Sequence, residues 1–468
     1  MTKILMRAAK SPFTTLSPEA SLEGFGGGMW GSNVGNLIFG DSVHRLLSTP
    51  DVEVVTNGFL TERPRTDRAY FKRINDEFDH FVIPLANAFR KSFHKNLTLL
   101  TDAIEKLDIP VTVVGVGVAG GVGSLDKPMP NIDGEVLETV HRFIRATLDR
   151  SASIGVRGSY TAEYLKSLGY GDEHVRVIGC PSLFKFGPEL SIEKKVASLD
   201  ADSAVTLNLT PYVPAMGKIS LHNTEQYRNL TYIPQTSNDL AMLMWGKAQK
   251  AYTNPDLPAN VRHPLYVQDK IRFFTDGRPW TEYLATRDFA FGSRIHGNIA
   301  ALISGTPAYV IAHDARTLEL AEYHGIPHTK VPDLAGRLDA SEFYDMADYS
   351  TFNAQHAQLF DRFDAFMQEN GLAHVYQEGK ANPAYDDKLA QVQFPAPVRA
   401  LTSVDPVSQR ASYDRIVAAQ GSGFKRKMKQ QALETYELPS SLSSKFLPKV
   451  LGSAPVQKML RRVEKYTN

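Results

Sequence analysis

The chain has 468 residues, 43% of them hydrophobic and 22% charged, with a single cysteine, Cys180. At roughly 150 residues per domain that length suggests two domains and an appendage, and the balance excludes a collagen-like, wholly disordered or disulfide-stapled chain. The net charge of +1 divides into +7 over residues 421–468 and −6 over the remainder, which argues against a nucleic-acid surface on the body and leaves the tail for an anionic partner.

The first twenty residues, MTKILMRAAKSPFTTLSPEA, lack the apolar core of a signal peptide, and no run approaches 18 apolar residues. A cytoplasmic protein is the economical expectation. Next comes GFGGGMWGSNVGN at 24–36, ahead of the amphipathic run LIFGDSVHRLL at 37–47. A glycine loop feeding a helix can aim backbone N–H groups at an anion, with Asn33 and Asn36 adding side-chain amides. A plain flexible turn has the same composition.

Six short runs rich in valine and isoleucine follow: VTVVGVGV (111–118), SIGVR (153–157), VRVIG (175–179), AVTLNL (204–209), DFAFGS (288–293) and PAYVIA (307–312). They read as strands buried on both faces, as in parallel sheets. Helical patterns lie between them, at 136–149, at 160–168 before Gly169, and at 298–304 before Gly305 and Pro307. The alternation predicts an α/β fold with parallel sheets. A break near 188–202 divides it into an N-terminal domain over 1–190 and a second over 191–335. Residues 336–375 form a helical return segment built on an amphipathic helix at 350–370. Residues 376–468 read as a linker, proline-rich over 385–410, and a basic tail broken by Pro439 and Pro448.

Four sites stand out besides the glycine run. Gly115, Gly117 and Gly120 match G-x-G-x-x-G, but the loop runs on to Pro128 and Pro130 with no helix starting at it and no acidic partner about 20 positions on. A dinucleotide site is therefore rejected, and the glycines read as room for a ligand or another backbone segment. Arg157 ends the strand SIGVR, where open α/β sheets bind ligands and where an arginine can grip a carboxylate or phosphate with two hydrogen bonds. A surface ion pair would use it equally. In FGSRIHGNIAALISGTP (291–307), Arg294 and His296 follow a strand end and Gly297 opens a helix, leaving room for a ligand against the backbone. A histidine at a helix N-terminus has its neutral form favoured, which suits proton transfer near pH 7; it could also simply cap a turn. Just after PAYVIA, Asp314, Arg316 and Glu319 form a further candidate set.

The segment SRIHGNIAALISGTPAYVIAHDARTLELAEYHGIP (293–327) resembles the signature of the polysaccharide pyruvyl transferase family. SIGVRGSYTAEYLKSLGYGDEHVRVIGCPSLF (153–184) is similar to the family's central arginine strand, and GSNVGNLIF (31–39) to its N-terminal loop, which more often carries aspartate where Asn36 stands. The resemblance spans about residues 24–330 and does not reach the region after 375. It implies two Rossmann-like domains arranged as in GT-B glycosyltransferases, with the site between them. It further implies transfer of the enolpyruvyl unit of phosphoenolpyruvate to two hydroxyls of a glycan or lipid-linked sugar, giving a pyruvate ketal, with no cofactor or metal.

On that resemblance Arg157, Arg294 and His296 carry the chemistry. Asn33, Gly35, Asn36, Gly117, Ser293, Ile295, Gly297, Asp314, Arg316 and Glu319 complete the substrate-binding set. Two arginines can clamp the donor, and His296 can protonate the methylene carbon or simply bind phosphate. A GT-B glycosyltransferase using a nucleotide sugar, and a non-catalytic subunit of a glycan assembly machine, remain open, as does the oligomeric state. The tail, with FKRKMK at 424–429 and apolar Phe446, Leu447, Val450 and Leu451, suits peripheral contact with the inner membrane face, packing on the acidic body or self-association.

Overall fold

A computed structural model describes residues 1–23, 33–63, 66–121, 132–245 and 254–400. Most of the glycine run and the whole basic tail fall outside the described residues.

The first unit is built on strands β1 (Thr2–Met6), β2 (Val52–Thr56), β3 (His80–Pro84) and β4 (Val111–Val114), parallel and ordered β2-β1-β3-β4. Strands β5 (Ile154–Val156) and β6 (Val175–Val177) pair in parallel and extend this sheet through a Val116–Val156 bridge. The expected strand 111–118 stops at Val114 because Gly115 takes φ +76°, a left-handed conformation that few residues other than glycine tolerate. Strands β1, β2 and β3 were not foreseen. Each is five residues long, β2 is nowhere fully buried, and β3 ends on Pro84.

The second unit holds β7 (Val205–Asn208), β8 (Thr231–Tyr232), β9 (Phe289–Gly292), β10 (Ala308–Ala312) and β11 (His328–Lys330). Its five strands are all parallel, in the order β11-β10-β9-β7-β8. Strands β3, β4, β7, β9 and β10 are buried at every residue, and all of these but β3 fall within the apolar runs read from the sequence. Both units are therefore Rossmann-like.

Helices occupy Gly134–Leu148, Ser159–Ser167, Ile295–Leu302 and Ser350–Glu369. The last crosses back to the first unit. Phe352 packs with the second unit's core, whereas Phe363, Phe366 and Met367 pack with Ile4, Met6, Val43 and Val82. Residues 385–400 are not a free linker. A helix at Pro383–Ala390 buries Tyr385 against Phe13, with ring centroids 5.0 Å apart, and pairs Asp386 with Arg45 at 2.8 Å. Val398 exchanges backbone hydrogen bonds with Phe273 at 2.8 and 2.9 Å. These contacts make the segment a packed strap.

Candidate active site

A cavity of about 1000 Å³ lies between the two units. Of the expected residues, Asn33, Asn36, Arg157, Ser293, Arg294, Ile295, His296, Asp314 and Arg316 line it, whereas Gly35, Gly117, Gly297 and Glu319 stand behind the wall.

The second unit's share comes from the turn after β9. Gly292 has φ +138°, and a Cβ there would lie 1.7 Å from the Asn208 carbonyl oxygen, so only glycine permits the turn. Asn208, at the end of β7, then accepts from the Arg294 backbone N–H at 2.8 Å and donates to Asn298 at 2.8 Å. Asn298 donates in turn to the Gly292 carbonyl at 2.9 Å, and Ser293 Oγ accepts from the Thr210 N–H at 2.8 Å. Sequence reading missed Asn208 and Asn298; a single asparagine ending an apolar strand was the available signal.

Arg294 is the N-cap of the helix, and His296 is the second residue inside it, not a residue ahead of it. Gly297 does not make room for a ligand. A Cβ there would come within 2.6 Å of Gln235 and 2.9 Å of Asn208, so this glycine lets the helix seat on β7.

His296 also leans on the first unit. A Cβ at Gly35, the first residue of helix Gly35–Leu47, would sit 2.8 Å from His296 Cβ, and the Phe39 ring centroid lies 6.0 Å from the imidazole's. Asn33 holds that helix start by accepting from the Gly35 N–H at 2.7 Å and bridges across to Thr236. Burial, with Arg157 and Arg316 adding positive charge, pushes the imidazole down to about 3. His296 is therefore neutral at pH 7, well below the range of a ready acid.

Arg157 follows β5 and is 3% exposed. A Cβ on Gly117 would lie 2.3 Å from its Nε, so that glycine makes space for the arginine and not for substrate. Gly120 does the same for Tyr160 and for Ala315, whose N–H bonds to the Gly120 carbonyl at 2.9 Å. Glu319 is 4.0 Å from Arg157 Nε and accepts from the Thr161 N–H and hydroxyl at 3.0–3.1 Å. It positions the arginine from behind and does not face the cavity. Burial raises Glu319 to about 7 against the pull of Arg157, and burial lowers Arg157 to about 10, still cationic at neutral pH. Arg157 Nε makes no hydrogen bond among the described residues; it faces Gly117 and Glu319, whose carboxylate is 4.0 Å away.

Asp314 caps helix Ala315–His324 by accepting from the Thr317 N–H at 2.9 Å, and it pairs with Arg316. Although burial works against it, Arg316 and His313 hold its carboxyl down to about 2. The first unit adds residues that sequence reading did not single out: Arg7 just past β1, and Arg63, Arg90 and Lys95.

The sequence pattern of the family described as Polysaccharide pyruvyl transferase matches residues 33–315. No curated protein matches the chain. Three solved structures are similar at a distance. MnaA of S. aureus, solved with UDP, shares 13% identity over 85% of this chain and 99% of its own, with a TM-score of 0.37. The UDP-GlcNAc 2-epimerase of Methanocaldococcus jannaschii, in complex with UDP-GlcNAc and UDP, shares 12% over 78% and 99%, with a TM-score of 0.39. The same enzyme of Neisseria meningitidis, bound to UDP-GlcNAc, shares 12% over 84% and 100%, with a TM-score of 0.36. With the family pattern covering well over half its length, the chain belongs to the polysaccharide pyruvyl transferase family and is a transferase by that membership.

Proposed function

We propose that the cavity transfers the enolpyruvyl unit of phosphoenolpyruvate to two hydroxyls of a glycan, forming a pyruvate ketal and releasing phosphate. The observation that carries this reading is the convergence of Arg157, Arg294 and Arg316 on His296 from both units. Phosphoenolpyruvate bears a carboxylate and a phosphate, so Arg157 and Arg294, with Arg316 beside them in its pair with Asp314, supply positive charge that can hold it in one orientation.

The protons then balance as follows. The methylene carbon takes one proton while the first acceptor hydroxyl adds to the neighbouring carbon and loses one. The bond from that carbon to the phosphate oxygen breaks. The second hydroxyl adds there, and its proton leaves with phosphate. His296 is suited to the first transfer only once the donor is bound. Burial is the main cause that holds the imidazole down, and Arg157 and Arg316 add to it; the donor's negative charge would offset the share of the two arginines. The histidine then gains its proton where the methylene carbon needs one, and the acceptor hydroxyl restores it.

The test is incubation with phosphoenolpyruvate and glycan precursors, measuring phosphate release against ketal formed. Equal amounts of both support the reading. Transfer from a nucleotide sugar with no phosphate released from phosphoenolpyruvate would replace it with glycosyl transfer.

A further inference from the structure

The stretch TPYVP at 210–214 leaves the carboxyl end of β7 without a charged residue, on the side where open α/β sheets bind ligands. The Val213 N–H donates to the Thr210 carbonyl at 3.0 Å and closes a β-turn with Pro211 at its second position, where proline is favoured. Ser293 Oγ anchors that turn by accepting from the Thr210 N–H at 2.8 Å, and Val213 is buried beneath it. Tyr212, third in the turn, is 59% exposed.

Among the described residues five large hydrophobic side chains are exposed, and of these Tyr212 alone lines the cavity. Its placement is not loose. The ring meets the His313 imidazole nearly at right angles, 67° between planes and 5.9 Å between centroids. Its hydroxyl stands close enough to Arg316 and Arg90 to interact with both. The ring is thus held by its neighbours while most of its surface stays open. The first unit places two phenylalanines on the cavity wall, but each carries a cation over its ring: Arg7 at 4.6 Å from the Phe59 centroid and Arg90 at 5.7 Å from that of Phe93.

An open aromatic face on a braced turn calls for a ligand with an apolar face of its own. Phosphoenolpyruvate has none to offer: it is a three-carbon dianion whose charged ends belong with Arg157 and Arg294. A pyranose has one, because in its chair form axial C–H bonds populate the faces and equatorial hydroxyls the edge. We infer that Tyr212 is the platform on which the acceptor's sugar ring stacks, leaving the hydroxyls at the ring's edge free to reach the donor. The negative face of the tyrosine ring attracts the polarised C–H bonds. Covering about a quarter of the 150–250 Å² that an aromatic side chain can bury is worth roughly tenfold in binding. That this sugar is the acceptor rests on the function proposed above; the platform rests on the open ring, its braced turn and its place on the cavity wall.

The test uses the full chain and saturation-transfer NMR with methyl β-galactopyranoside, methyl β-glucopyranoside and methyl α-mannopyranoside, beside calorimetry with phosphoenolpyruvate and with UDP. At least one glycoside should bind, with saturation concentrated on the C–H protons of one ring face. Tyr212→Ala should weaken that binding roughly tenfold and Tyr212→Phe by less than about threefold, with phosphoenolpyruvate affinity unchanged in both. The residue is exposed, so neither variant threatens the fold. The inference is overturned if no glycoside binds, or if Tyr212→Ala binds as the wild type does. It also fails if Tyr212→Phe behaves like Tyr212→Ala, because the hydroxyl beside Arg316 would then be what matters. Loss of phosphoenolpyruvate binding in Tyr212→Ala would assign the ring to the donor, and Tyr212-dependent binding of UDP with no glycoside bound would assign it to a nucleobase; either result overturns the platform. If the wild-type chain ignores phosphoenolpyruvate yet binds a glycoside through Tyr212, the donor reading fails and the platform stands.

Discussion

Replacing Gly117 by alanine would test whether packing sets the position of Arg157. The added methyl would lie 2.3 Å from Arg157 Nε and 2.5 Å from its Cδ, far inside contact distance. Gly117 is not among the residues with positive φ, so its backbone tolerates alanine and the conflict falls on the arginine. With Glu319 on its other side, the guanidinium is pushed toward the cavity, into the place that the anion of the proposed donor would take. Overpacking of this kind costs about 1–3 kcal/mol of stability. A misplaced charge-assisted hydrogen bond to the donor costs roughly 1.5–3 kcal/mol, or on the order of 10- to 150-fold in kcat/KM for phosphoenolpyruvate. Arg157→Ala removes the obstruction, so in that background the added methyl should cost little stability. The coupling between the two changes should then be about 1–3 kcal/mol. Urea denaturation of the four proteins and steady-state kinetics of the two that retain Arg157 give both quantities. A Gly117→Ala protein with unchanged kcat/KM, or a stability cost that is the same with and without Arg157, would refute the packing argument.

His296→Ala should fold and lose on the order of 10²- to 10⁴-fold in turnover, and unaltered turnover would remove the imidazole from the mechanism. Arg294→Lys should raise the KM for phosphoenolpyruvate, because lysine keeps the charge but not the planar fork, whereas an unchanged KM would place the donor elsewhere. Acid should destabilise the protein from about pH 6.5 downward. Burial pushes His44 and His80 down to about 4, and His296 and His324 to about 3, so the unfolded chain takes up protons at four sites where the folded chain does not. That contribution is complete above pH 6.5 and is lost as pH falls toward 3. Asp41 and Glu319, raised by burial to about 6 and about 7, act oppositely, two groups against four. A urea midpoint that stays flat from pH 7 to 4.5 would contradict this. Finally, a chain ending at residue 400 should keep activity on a soluble acceptor but no longer sediment with anionic vesicles; if the full-length chain ignores such vesicles at low salt, the tail's membrane role falls.

What could be read from the sequence follows how local each feature is. The turn at Ser293–Gly297 was legible because strand end, side chains and helix start lie within ten residues, and so was Arg157 at the end of its strand. Arg7, Arg63 and Arg90 were not, because nothing in their own segments marks them. They reach the cavity through strand order. Strand β1 lies between β2 and β3, so the chain order reverses there, and the crevice beyond the carboxyl ends of such strands is where open α/β sheets bind ligands. Arg7 leaves β1 at that crevice and the loop to Arg90 leaves β3, but the order cannot be known until β1 is recognised as a strand. The state of His296 was beyond local reading for a related reason. Its helix position favours the neutral form, yet the shift comes first from burial, to which the Gly35 helix of the other unit contributes by close packing, and then from Arg157 and Arg316. The protonation of the imidazole therefore depends on residues of both units, and a motif confined to one unit can identify the residue without fixing its protonation.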